Sequence, residues 1–146
     1  MSLTELKFEV FAQHHMLRAL LVNVGDVAQM VVEGDTSRQA LLRSGTHQLV
    51  AELLRHMDDE ERLLEALMCE GHAPAAEHLA DFRHNHIHQR ELFASFDRRI
   101  DEVHSPRRLG EIIQAMTHAV ILDMEHEEQA LFGLHPFALA PVSQSA

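Results

Sequence analysis

At 146 residues, 46% of them hydrophobic and only ten of them glycine or proline, the chain can bury a core without disulfides, which excludes a disordered tract. A formal net charge of −11 argues against nucleic acid and against anionic membrane surfaces as partners. The single cysteine, Cys69, has no internal partner; this points to a reducing cytoplasm, with Cys69 a small apolar residue near a helix end.

"MSL" reads as a cloning remnant and is set aside. "MSLTELKFEV" carries charge too early for a signal-peptide core, and no apolar run approaches the roughly 18 residues of a membrane helix. Four breakers follow in order: "EGDTS" (33–37), "EGHAP" (70–74), "HSP" (104–106) and "GLHPFALAP" (133–141). The long stretches they delimit have helical periodicity. In the first, Val10, His14, Leu17, Leu21, Val24, Ala28 and Val31 form a stripe. Thr36 or Ser37 caps the second, whose stripe is Leu49, Leu53, His56, Glu60, Leu63 and Leu67. Gly45 alone is expected to interrupt a stretch, as a kink or the end of a short preceding helix. Pro74 opens the third, with Phe82, His86, Gln89, Phe93, Phe96, Ile100 and Val103. Ser105-Pro106 supplies the N-cap and first turn of the fourth, striped by Ile113, Met116, Val120, Asp123, Glu127, Ala130 and Leu134. With no Tyr or Trp and few alternating β-branched runs, strands are not expected. The expected fold is all-α: one domain over 1–146, an up-down-up-down four-helix bundle with its core at about 4–134 and a tail at 135–146.

The stripes carry polar interruptions. His14 lies in the first, His56 and Glu60 in the second, His86 in the third, Asp123 and Glu127 in the fourth. Burying an unpaired carboxylate costs several kcal/mol, so these groups need one another or a cation. His56/Glu60 and Asp123/Glu127 each place two ligands on one helix face. Two such pairs, with one histidine from each other helix, can surround two metal ions, as inward Glu and His do in di-iron bundles.

The chain also repeats itself. "HMDDEERLLEAL" (56–67) overlays "DMEHEEQALFGL" (123–134), matching Met57/Met124, Glu60/Glu127, Glu61/Glu128 and Leu64/Leu131. "HHMLRALLVNV" (14–24) overlays "HIHQRELFASF" (86–96), matching His14/His86, Arg18/Arg90 and Leu20/Leu92. Each half reads as a helical hairpin, and the two halves are expected to be related by a two-fold pseudo-repeat with the site on its axis.

These motifs resemble the hemerythrin-like, or HHE cation-binding, family over nearly the whole chain. "RHMDDEERLL" is similar to that family's His-x-x-x-Glu-Glu helix, "DMEHEEQALF" to its second Glu-Glu-x-x-Leu-Phe helix, and "QHHMLRALL" to its first helix. The resemblance implies a four-helix bundle with two non-haem irons, capped by histidines and bridged by two carboxylates. It implies binding or sensing of O₂ or NO, or iron handling and repair. His14 and His56 would cap one metal, His86 and Asp123 the other, and Glu60 and Glu127 would bridge. The chain departs from the pattern at Asp123, where the family has His, and at Phe82, where it often has a second His. The departures move the site toward oxygen-rich ligation, suited to iron, manganese or a mixed pair. Asp123 thereby favours an alternative, a carboxylate-rich di-metal oxidase or peroxidase-like enzyme. No general base, nucleophile or phosphate loop marks a dedicated substrate pocket. Self-pairing into a homodimer is left open.

Other histidines compete for the site. His118 precedes Asp123 at the family spacing but falls nearly opposite the stripe. His15 is one residue off the first stripe, and His84 and His88 offer an i,i+4 pair around His86. His78 would turn inward if the third helix were rotated. His47, His72, His104, His126 and His135 read as solvated, as do Asp58, Asp59, Glu61 and Glu128, and the methionines read as core filler. A metal-free structural bundle, with Glu60 and Glu127 bridged by buried histidines, is the remaining alternative.

Overall fold

Helix boundaries fall where the local chemistry stops and starts them. The computed structural model describes residues 2–69, 71 and 73–132, and the backbone alone at Leu3, Leu6, Leu67, 73–79, Phe82 and 130–132. It contains α1 (Leu3–Val32), α2 (Gln39–Cys69), α3 (Ala73–Arg99) and α4 (Pro106–Phe132), with 3₁₀ turns at Thr36–Arg38 and Ile100–Glu102, and no strand among the described residues. The expected tail at 135–146 lies outside them, as do His72 and His135 and the side chains of His78 and Phe82.

Ser2, set aside with the first three residues, is in fact the N-cap of α1. Its hydroxyl accepts from the Glu5 N–H at 3.2 Å, and its own N–H donates to the Glu5 carboxylate at 2.5 Å. That is a capping box, which satisfies two otherwise orphaned donors. Gly34 (φ 112°) and Gly71 (φ 87°) end α1 and α2 in the left-handed region that favours glycine. Ser105 caps α4 as expected, its Oγ accepting from the Arg108 N–H at 3.3 Å. Gly45 breaks nothing: α2 runs through it, and the short preceding piece is the 3₁₀ turn. Gly25 and Gly110 also lie inside helices, which the expectation for Gly45 alone overlooked.

The α1 stripe is buried throughout: Val10, His14, Leu17, Leu21, Val24, Ala28 and Val31. In α3, His86 is buried and Gln89, Phe93 and Phe96 half-buried; Ile100, in the 3₁₀ turn that follows, is buried. The α4 stripe is displaced from the expected one. Leu109, Ile113, Thr117, Val120, Met124 and Glu128 are buried, whereas Met116 is half-buried and Asp123 exposed. A 3.6-residue period admits steps of three or four, and a one-residue change turns a side chain by about 100°. The packing of α4 takes four after Ile113 and again after Val120. In α2 the stripe likewise passes through Leu64, with Leu63 half-buried.

Helix α1 packs against both α2 and α4, and α2 against α3. No helix among the described residues is long and apolar enough to cross a membrane. The α2–α3 contact is pinned by polar groups. Arg43 donates to the carbonyls of Ile100 and Val103, in and just after the 3₁₀ turn that follows α3. One turn on, His47 meets Asp97 through Nδ1 at 2.5 Å and Asp101 through Nε2 at 2.8 Å. The solvated role expected for His47 is therefore only partly right. Asp97, then Asp101, raise its pKa above the ordinary histidine value. A raised folded-state pKa gives stability that is complete below about pH 6.5 and is lost as pH rises through the folded value. Exposed pairs contribute little, so His47→Ala is expected to cost about 1 kcal/mol at pH 6 and less at pH 9 by urea unfolding. An equal cost at both pH values would show that packing, not charge, is lost.

Candidate metal centre

Four side chains from three helices converge on one point. His14 of α1, His56 and Glu60 of α2 and Glu127 of α4 each offer a ligand atom, and these atoms all lie within 4.8 Å of one another. His14, His56 and Glu60 are buried, and the Glu127 side chain is 15% exposed. His14 Nε2 lies 3.0 Å from His56 Nε2, 3.2 Å from Glu60 Oε1 and 3.4 Å from Glu127 Oε1. His56 Nε2 also contacts Glu60 Oε1. Donors at these separations can share a cation with bonds of about 2.0–2.2 Å. Glu60 Oε2 and Glu127 Oε1 are buried without a hydrogen-bond partner. From α3, His86 is 1% exposed and brings its Nε2 to 4.0 Å from Glu60 Oε2.

The outward nitrogens are all occupied. His14 Nδ1 pairs with Glu128 Oε1 at 2.8 Å, His56 Nδ1 with Gln13 Oε1 at 2.7 Å, and His86 Nδ1 with Glu61 Oε1 at 2.9 Å. Each acceptor holds the proton on Nδ1 and leaves the Nε2 lone pair facing inward. That is the tautomer a metal requires. It also explains why His14 and His56 cannot simply face each other as neutral rings. Two Nε2 lone pairs 3.0 Å apart repel unless a proton or a cation lies between them.

Protons serve in the metal-free protein. Burial alone would lower the His14 pKa, but the carboxylates of Glu127, Glu128 and Glu60 facing its ring nitrogens raise it to about 11. Burial would raise Glu60; hydrogen bonds from Glu127, His14 and His56 outweigh it and hold Glu60 ionised. Glu127 is pushed well up by burial and by the Glu60 charge.

Of the residues singled out in the sequence, His14, His56, Glu60 and Glu127 are brought together and His86 lies at their edge. Asp123 is exposed and stands outside the group, a correction with the same cause as the displaced α4 stripe. The residue that favoured oxygen-rich ligation, and with it an oxidase-like enzyme, is therefore turned to solvent. His15, His84, His88 and His118 are exposed. Glu128, expected on a solvated face, is 2% exposed, held by His14 and by Arg18 Nη2 at 2.9 Å. Glu61 is half-buried against His86. The signal for both was present: Glu61/Glu128 and Arg18/Arg90 are matched in the internal repeat. Gln13 had no such signal. No family model, curated protein or solved structure matches the chain.

Proposed function

We propose that the chain is a hemerythrin-like, up-down-up-down bundle that binds non-haem iron and, through it, O₂, NO or iron itself. The carrying observation is the convergence of two imidazole Nε2 atoms and two carboxylates within 4.8 Å, with each imidazole's other nitrogen tied outward. His14, His56, Glu60 and Glu127 would hold the first ion. A second ion would be held by Glu60, whose buried Oε2 faces His86 Nε2 at 4.0 Å, with His86 and Glu127. The matched contacts in the two halves support a two-fold pseudo-repeat: His14–Glu128–Arg18 joins α1 to α4 as His86–Glu61–Arg90 joins α3 to α2. Imidazole with carboxylate suits iron and manganese alike, so growth medium decides between them in the test. Bound iron supplies an open position for a diatomic ligand; the chain's residues supply the donors and a largely dry surrounding.

The test is metal analysis of protein from cells grown in iron-rich medium. Two irons per chain, with the near-ultraviolet absorption of a bridged diferric centre, are expected. Protein that emerges metal-free and takes up neither Fe²⁺ nor Mn²⁺ would leave the metal-free bundle as the correct reading.

A further inference from the structure

Behind the inner ring of donors lies a second ring that the sequence placed on the surface. Glu128 reaches His14 with one oxygen (2.8 Å to Nδ1) and Arg18 with the other (2.9 Å to Nη2). Glu61 meets His86 Nδ1 at 2.9 Å and Arg90 Nη1 at 3.2 Å, while Arg90 Nη2 is held by Asp58 at 2.6 Å. In both cases the outer carboxylate directly follows an inner glutamate, Glu60 or Glu127. In both cases the arginine lies one helical turn beyond the histidine. His56 differs: its Nδ1 is held by a neutral amide, Gln13.

We infer that Glu128 with Arg18, and Glu61 with Arg90, are positioning residues that fix the metal-facing nitrogens of His14 and His86. This rests on the metal-binding reading proposed above. A carboxylate facing Nδ1 fixes the tautomer and the ring's rotation about χ2, so Nε2 meets the ion without reorganisation. It also makes the imidazole a stronger donor than an amide does. Arg18 occupies the second oxygen of Glu128, and Arg90 pairs with the same Glu61 oxygen that meets His86, so each outer glutamate is held at Nδ1 and does not swing inward to compete as a ligand. His14 and His86 are therefore the strongly backed donors, and His56 the weakly backed one.

Titration with Co²⁺, followed by its visible ligand-field bands, tests the role. Glu128→Gln and Glu61→Gln keep size and an acceptor oxygen but lose the charge. Each is expected to weaken Co²⁺ binding about 10- to 100-fold and to move the bands, with helix content unchanged. Glu60→Gln, an inner-ring change, is expected to abolish the bands. If Glu60→Gln binds as wild type does, the metal site itself is wrong. If Glu60→Gln loses binding while Glu128→Gln and Glu61→Gln retain wild-type affinity and spectrum, the positioning role is overturned and the site survives. Should Glu128→Gln not fold, Arg18→Met carries the test at a side chain only 31% exposed but on the bundle's rim. It frees one Glu128 oxygen and is expected to weaken Co²⁺ binding by up to about tenfold; wild-type affinity there would overturn the role.

Discussion

Ferrous iron, added anaerobically in excess, is expected to raise the unfolding temperature of the wild-type chain by about 8–16 °C. A ligand at about a thousandfold above its dissociation constant stabilises the folded state by about 4 kcal/mol, if the unfolded chain does not bind it. Each kcal/mol moves the midpoint of a domain this size by roughly 2–4 °C. The gain requires a site that forms only on folding, and His14, His56, Glu60 and Glu127 come from three separate helices. Glu60→Gln should keep a midpoint close to that of the wild-type metal-free protein, since the amide preserves volume and can still meet His14 and His56. It should lose the iron-induced rise, because the anionic donor shared by both histidines is gone. His56→Ala should lose it as well. A full rise in Glu60→Gln would place the iron elsewhere, with the exposed histidines His84, His88 and His118 as the first suspects.

Gly110→Ala should destabilise the fold although it places a better helix former in a helix. A Cβ at Gly110 would lie 2.6 Å from Val32 Cγ2 and 2.8 Å from the Ala28 carbonyl oxygen. The valine methyl can turn away; the backbone oxygen cannot, so α1 and α4 must part. Overpacking of this kind costs about 1–3 kcal/mol, against a helix-propensity gain of roughly 0.5–1 kcal/mol. A net loss of about 1–2 kcal/mol is expected in chemical denaturation. The matched control is Gly45→Ala. There the added methyl would meet only Val24 Cγ2 at an ordinary 3.8 Å. It faces an apolar cavity of about 200 Å³ between α1 and α2, lined also by Leu20, Leu42 and Leu49. Gly45→Ala is expected to stabilise by about 0.5–1 kcal/mol. Equal effects at the two glycines would show that α1 and α4 do not approach as closely as Gly110 indicates.

Helix number and most boundaries were legible from the chain, because caps and breakers act locally. Ser105-Pro106 starts α4 by satisfying backbone donors within three residues, and Gly34 ends α1 by its own φ. The α1 stripe was legible for the same kind of reason: its steps of four and three follow one face without a competing choice. His14, His56, Glu60, His86 and Glu127 stood out because a polar group in an apolar stripe is costly without a partner.

What the tertiary structure decided was rotation and partnership. On α4, Asp123 and Met124 are adjacent, and either could continue a helical stripe from Val120. The packing of α4 turned Met124 and Glu128 inward and Asp123 out. Glu128 and Glu61 look like ordinary surface acids in the sequence, since helical period alone resolves a face no better than about one residue. They became outer supports of the site only when α4 met α1 and α3 met α2, bringing an imidazole nitrogen and an arginine to each carboxylate. A chain thus specifies by itself which groups must not be buried alone; which neighbour each receives depends on helix rotation, a long-range property fixed by packing.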